Sequence, residues 1–256
     1  MILCTDIGNT RIRCALGTAE NYVQAAVDTS TITGASSFAA FLREKFGSDM
    51  QLVTGGIFSS VVPKKDADVL TAIQALNKNA AIKPVDTARM GVDFSSYGSV
   101  IGQDRAVCSA VAAKKYGTPV VVVDFGTATT VNVVDENSAY TGGAILAGVQ
   151  TGIDALAKGT ARLPQFDVTG NGYAEIKVIG NDTYECLVSG AVIGAAFAAN
   201  GYVQHIQAQL AVKKARAAVI ITGGNAPKVL PHCNFDFIYV PTLLIEGLFM
   251  LYETTR

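Results

Sequence analysis

The sequence predicts an α/β protein made of two related halves, each a mixed sheet flanked by helices. Three observations lead there. "ILCTDIGNTRIRCAL" and "VVVDFGTATTVNVVD" both read as a strand, Asp-x-Gly, small polar residues and a second strand, set at domain-scale separation. After each copy, short apolar runs of strand character alternate with stretches of helical period. With 256 residues, half of them hydrophobic, the chain has material for two compact cores.

In the first half, "MILCTDIGNT" opens in a strand pattern, without the basic stretch and apolar core of a signal peptide. Ile12–Leu16 supplies the returning strand. "SSFAAFLREKFG" reads as an amphipathic helix ending at Gly47, and "LVTGGIFSSVV" as a strand-rich segment. "DADVLTAIQALNKN" is a second helix and "AIKPVD" a short strand. Ala106 to Tyr116 reads as a helix closed by Lys114, Lys115 and Gly117. The boundary falls near Lys114–Thr118, dividing the chain into 1–116 and 117–256.

The second half opens on Val120–Val123, a β-branched run suited to a strand buried on both faces, with Val131–Val134 returning. "TYECLVSGAVIGAAFAANGYVQHIQAQLAVKK" is a long helical region, "AAVIITGG" a buried strand, "FDFIYVP" a further strand and "LLIEGLFMLYET" a terminal helix. The uncharged stretch from Cys186 to Val212 is too short in its apolar part to span a membrane. That part ends near Ala199, before Asn200, Gln204, His205, Gln207 and Gln209, whereas a hydrocarbon core needs about 20 apolar residues. A buried helix is expected, with Gly190 and Gly194 letting another element approach closely.

Only 16% of residues are charged, and the formal net charge is −1, which argues against a general nucleic-acid binder. So apolar a composition fits a large interface between subunits. Five scattered cysteines, an odd number, and two histidines point to a reducing cytoplasm and away from a disulfide framework, a zinc site or a histidine-rich metal centre.

Four stretches carry chemistry. In Asp6–Ile7–Gly8–Asn9–Thr10–Arg11, Gly8 allows a tight turn and close approach of backbone to ligand. Asn9, Thr10 and exposed N–H groups suit phosphate oxygens, and Asp6 suits Mg²⁺, directly or through water. Either Arg11 or Arg13 adds positive charge. In the second copy, Asp124 closes a buried strand, where a carboxylate is costly unless something answers it. Thr127, Thr129 and Thr130 offer hydroxyls beyond it. One such turn alone is an ordinary Asn-Gly turn; two copies favour a phosphate-and-cation site. "TGGNA" (Thr222–Ala226) reads equally as a strand-to-helix turn or as a place for a flat ligand against backbone. In "GQDR", Asp104 reads equally as a residue at or near the helix N-cap or as a base for an attacking hydroxyl. Next to it, Arg105 suits a substrate carboxylate.

In order along the chain, "DIGNTR", "GQDR", "DFGTATT", "TGGAILAG", "NDTYECLVSG", "TGGN" and "PTLLIEGL" resemble the type III pantothenate kinases of the acetate kinase/sugar kinase/Hsp70/actin superfamily. The resemblance implies two duplicated ribonuclease H-like domains of the actin-like ATPase kind. It implies transfer of the ATP γ-phosphate to pantothenate, giving 4′-phosphopantothenate, the first step of coenzyme A biosynthesis. It places Asp6, Ile7, Gly8, Asn9, Thr10, Arg11, Ile12 and Arg13 in an ATP phosphate loop, with Thr127 also on ATP. Gly102, Gln103, Asp104 and Arg105 would hold pantothenate, with Tyr97 and Thr183 completing the pocket and Asp104 as catalytic base. Asp124 would coordinate a monovalent cation, K⁺ or NH₄⁺, beside Mg²⁺-loaded ATP. A cytoplasmic homodimer is implied, with neither nucleic acid nor membrane as partner. Two positions depart from the family pattern: the short spacing from Tyr97 to Gly102, and Asn225 where aspartate is frequent. The alternatives are a superfamily kinase or ATPase acting on another small hydroxy acid, or a non-catalytic regulator. The presence of Asp6, Asp104 and Asp124 together favours the enzyme.

Overall fold

The computed structural model describes residues 1–168, 176–212 and 215–254. It divides into two compact units: Met1–Val111 with Thr242–Arg256, and Ala112–Pro241.

The first unit is built on β1 (Ile2–Ile7), β2 (Arg11–Gly17), β3 (Tyr22–Asp28), β4 (Gly55–Ser60) and β5 (Ala81–Pro84). They lie in the order β3-β2-β1-β4-β5. The β1–β2–β3 meander is antiparallel, while β4 and β5 run parallel to β1. Helix α1 (Ala35–Phe46) ends on Gly47 in a positive-φ conformation, the C-terminal signal expected from the sequence. Helix α2 (Pro63–Leu76) starts on a proline, whose fixed φ and missing N–H suit the first turn. Phe38, Phe41 and Leu42 from α1, with Val69 and Ile73 from α2, bury against Leu3, Ile7, Ile12 and Cys14 of the sheet. Helix α3 (Gln103–Tyr116) begins three residues before the expected Ala106.

The second unit repeats the plan. Its strands are β6 (Val120–Phe125), β7 (Ala128–Val134), β8 (Tyr140–Ala147), β9 (Ala218–Thr222) and β10 (Ile238–Tyr239). Their order is β10-β9-β6-β7-β8. Substituting β6 for β1, β7 for β2 and so on reproduces the first sheet, parallel and antiparallel pairs included. The echo between the two Asp-x-Gly stretches is therefore a duplication of topology. Val120–Val123 are all buried, as their β-branched run required of a central strand.

Helix α4 (Val149–Gly159) follows β8. The long helical region runs as α5 (Thr183–Val188), a π-helical turn at Ser189–Ile193, and α6 (Gly194–Val212). By length and composition Thr183–Ala211 could cross a membrane. Val188, Val192, Ala196, Ala199, Val203 and Leu210 instead pack into the core of this unit. Short α7 (Ala226–Val229) follows β9. After β10 the chain returns to the first unit, where α8 (Leu243–Thr254) packs on β1 and β4 and Phe249 meets the Tyr22 ring. A single cut at 116/117 leaves this helix with the second half; packing puts it with the first sheet, because its apolar face covers β1 and β4.

Two strands escaped the sequence. β3 is largely exposed and β8 alternates exposed and buried residues around two glycines, so neither presents a continuous apolar run.

Candidate active site

β1 carries Asp6 to its C-terminal end, with apolar residues before it and a hairpin after it. The carboxylate is 3% exposed and accepts at both oxygens. Arg13 Nη1 donates to Oδ2 at 3.2 Å, and Ser59 Oγ donates to Oδ1 at 2.9 Å. The register explains both partners, since Asp6 pairs with Arg13 across β1–β2 and with Ser59 across β1–β4. Burial pushes the carboxyl up to about 6; Arg13 and the Ser59 hydrogen bond hold it lower, and the negative charge of Asp104 adds to the rise. Arg13 serves Asp6, while Arg11 pairs with Asp28 at the surface, 3.4 Å away.

Between these strands the hairpin is tight: Gly8 N–H bonds to the Arg11 carbonyl at 3.1 Å. A Cβ on Gly8 would sit 2.8 Å from that oxygen, so no side chain fits. Thr29 clamps the turn from β3's end, its hydroxyl donating to the Gly8 carbonyl at 2.7 Å and its N–H to the Thr10 carbonyl at 2.9 Å. Asn9, Thr10 and Arg11 remain exposed on a fixed loop.

Tyr97 and the Gly102–Arg105 stretch come together in the same unit. Arg105 Nη1 donates to the Tyr97 hydroxyl at 3.3 Å, and the guanidinium lies 5.7 Å from the ring centroid. That pairing draws the phenol below its ordinary pKa, because the hydrogen bond and the charge both favour the phenolate. Asp104 is not the N-cap. Ala106 N–H bonds back to the Gly102 carbonyl, α3 begins at Gln103, and Asp104 lies in the first turn. Its Oδ1 accepts from the Arg105 backbone N–H at 2.8 Å. The start of a helix favours negative charge, and the hydrogen bond gives the carboxylate a fixed orientation. Gln103 is anchored too, its Oε1 accepting from the Ser60 N–H at 2.8 Å.

In the second unit Asp124 occupies the place that Asp6 holds in the first. Its register partners are Thr130 on β7 and Thr222 on β9, hydroxyls where Asp6 has Arg13 and Ser59. Two glycines crowd it: a Cβ on Gly126 would lie 3.2 Å from Oδ1, and one on Gly223 only 2.4 Å. Gly223 also has φ +102°, which disfavours any other residue. A carboxylate with hydroxyl oxygens on one side is a donor set that hard cations accept.

Thr127 is exposed at the hairpin tip, its carbonyl accepting from Gly148 N–H and from Thr151 Oγ. Thr129 is different: it points inward, 2% exposed, and its hydroxyl has no hydrogen-bond partner among the described residues. The hydroxyls expected together at the tip thus separate because Thr127 lies in the turn before β7 while Thr129 lies within the strand on its buried face. Asn225 Nδ2 donates to the Gly126 carbonyl at 3.1 Å, tying the "TGGNA" turn to the "DFGT" turn. Thr183 is the first residue of α5, capped by Asp182, and it is exposed.

Ser59, Ser60 and Thr29 escaped the sequence reading. "IFSSVV" closes a buried strand with two hydroxyls, a signal the reading passed over; Thr29 had no local signal.

A model of the type III pantothenate kinase family matches residues 2–205. The chain belongs to the type III pantothenate kinase family. It is 33% identical over 258 residues to the type III pantothenate kinase of Thermus thermophilus, covering 98% of each chain. The corresponding protein of Salinispora arenicola is 31% identical over 256 residues, covering 99% of each. Among solved structures, a Campylobacter jejuni protein described as a putative Baf family transcriptional activator superposes with a TM-score of 0.58 at 19% identity, over 99% of this chain and 98% of that one. The Clostridium difficile activator of 2-hydroxyisocaproyl-CoA dehydratase, with bound ADPNP, gives 0.51 at 14% identity, over 99% and 94%. Such distant likenesses show the fold, an α/β actin-like ATPase fold with two mixed five-stranded sheets.

Proposed function

We propose that the chain transfers the γ-phosphoryl group of ATP to the terminal hydroxyl of pantothenate, giving 4′-phosphopantothenate and ADP. Family membership supports pantothenate kinase activity, and one observation supports the acceptor site. Asp104 and Arg105, side by side at the start of α3, offer a proton acceptor and a guanidinium already steadied by Tyr97. That pair fits an acceptor carrying both a hydroxyl and a carboxylate.

In the proposed reaction the acceptor oxygen attacks the γ-phosphorus in line. The bond to the β,γ-bridging oxygen breaks, ADP leaves, and the hydroxyl proton passes to Asp104. Asp104 acts mostly by orienting the hydroxyl, which phosphoryl transfer tolerates because positioning and charge neutralisation dominate it. Asp6 to Arg13 would hold the ATP phosphates and Thr127 would contact ATP. Mg²⁺, when bound, neutralises phosphate charge, with Asp6 as its carboxylate, directly or through water. Asp124, flanked by glycines and facing Thr130 and Thr222, would hold K⁺ or NH₄⁺. Gly102, Gln103, Tyr97 and Thr183 would complete the pantothenate pocket.

A cytoplasmic homodimer belongs to the same proposal. The second unit exposes Ile145 at 62% and Phe197 at 57%, along with Leu156. Leu156 also lines a cavity of about 340 Å³ together with Leu146, Gly152, Gly190, Gly194 and Ala198. Such a surface suits a second copy of this chain; sedimentation as a monomer at micromolar concentration would count against it.

The test of function is ADP release from Mg·ATP with pantothenate as acceptor, with K⁺ present or replaced by a large organic cation. Pantothenate-dependent turnover that falls without K⁺ and drops at least about 100-fold in Asp104→Asn is the expected outcome. ATP turnover indifferent to pantothenate would reassign the acceptor.

A further inference from the structure

β4 is buried from Gly55 through Ser59, and Ser59 itself is 0% exposed. A hydroxyl in such a strand costs stability unless it is hydrogen-bonded. This one donates to Asp6 Oδ1 at 2.9 Å, while Arg13 takes the other oxygen. The next residue faces the other motif, the Ser60 N–H holding Gln103 Oε1 at 2.8 Å. The strand exit is itself fixed. Ser60 Oγ donates to Asp66 Oδ1 at 2.5 Å and accepts from Val62 N–H at 3.1 Å, and Val61 N–H extends the pairing to the Ile7 carbonyl at 3.0 Å.

We infer that Ser59 is a positioning residue for phosphoryl transfer: its hydroxyl locks the Asp6 carboxylate on the nucleotide side, while the adjoining backbone locks Gln103 on the acceptor side. One strand end thus sets the phosphate loop and the acceptor helix in a common register. The duplicated sheet repeats the position, because Thr222 is the register partner of Asp124 on β9 as Ser59 is of Asp6 on β4. Both positions are buried and both carry a hydroxyl. The inference rests on the function proposed above. It assigns Ser59 no contact with substrate; Ser59 acts through Asp6.

The experiment compares the full chain with Ser59→Ala, which removes the donor, and Ser59→Thr, which keeps it. Melting of each variant checks folding. Should Ser59→Ala fail to fold, the near-isosteric Ser59→Cys, a weak donor, takes its place. Two quantities are read: the Kd for Mg·ADP by calorimetry, and the separate KM values for Mg·ATP and pantothenate. Loss of a hydrogen bond to a buried carboxylate should weaken Mg·ADP and raise the Mg·ATP KM about tenfold. The pantothenate KM should stay within about twofold, with Ser59→Thr close to wild type. Ser59→Ala with unchanged nucleotide affinity would overturn the inference, as would an equal rise in both KM values or equal damage from Ser59→Thr. If the unaltered chain shows no pantothenate-dependent turnover, the functional reading fails, and the Mg·ADP affinities alone still judge Ser59.

Discussion

Asp6→Asn separates what this carboxylate costs from what it does. The carboxyl rises from 3.8 to about 6 on folding, chiefly through burial, which at about 1.4 kcal/mol per unit amounts to about 3 kcal/mol. The raised value makes the native state the better proton binder. The native protein is therefore helped by the neutral carboxyl below about pH 4, and that advantage is lost as pH climbs through about 6. Asparagine stays neutral at every pH, but its single amide oxygen can accept from only one of Ser59 and Arg13, which donate to different oxygens of Asp6. Without nucleotide or Mg²⁺, the melting temperature of Asp6→Asn relative to wild type should climb between about pH 4 and pH 6 and then level off. By the usual scaling, about 3 kcal/mol corresponds to roughly 5–10 °C in a chain of this size. The assay is a thermal melt of both proteins across that range, with kinase turnover measured alongside. The lost hydrogen bond lowers the variant by a pH-independent amount, so the test is the climb of the difference with pH, and the variant should be inactive. A melting difference that stays flat or shrinks as pH rises would refute the burial argument.

Asn225→Asp should raise the Mg·ATP KM and cost about 1–3 kcal/mol in stability, because a carboxylate cannot donate to the Gly126 carbonyl that Asn225 Nδ2 now reaches. Steady-state kinetics and a melt check it, and a neutral result would show the tie between the two turns to be dispensable. Tyr97→Phe removes the hydroxyl that accepts from Arg105 but keeps the ring beside the guanidinium. Pantothenate KM should rise about three- to tenfold with kcat nearly unchanged, since the loss is in acceptor binding. Gly223→Ala should lower stability by more than about 1 kcal/mol, given its positive φ and a Cβ that would press on Asp124 and on the Phe125 backbone. An unperturbed melt would show that the turn can relax.

The duplication was legible because its signal is local. Each Asp-x-Gly stretch carries its own strand, turn and return strand within about fifteen residues, so the two could be matched without knowing where either would sit. Helices α1, α2 and α8 were legible for a similar reason, namely apolar periodicity with Pro or Gly at the ends of α1 and α2. β3 was not, since a largely exposed strand is stabilised by the neighbour it pairs with and carries little periodic signal of its own. The motif residues were legible by type, yet not by partner. "DIGNTRIR" offers two arginines, and only the β1–β2 register puts Arg13 opposite Asp6 while sending Arg11 to Asp28. "DFGTATT" offers three threonines, and the hairpin buries the hydroxyl of Thr129 inside β7 while leaving Thr127 exposed in the turn before it.

The order of residues alone thus carries the fold class, the repeat, the residue types of each loop and the family. Those depend on short-range patterns of polarity and turn-forming residues. Pairings across long separations belong to the tertiary structure: Ser59 with Asp6, Gln103 with the Ser60 backbone, Asn225 with Gly126, and the terminal helix with the sheet that begins the chain. Each of these depends on which strands become neighbours and in which register, and a parallel crossover fixes that only once the whole sheet has assembled.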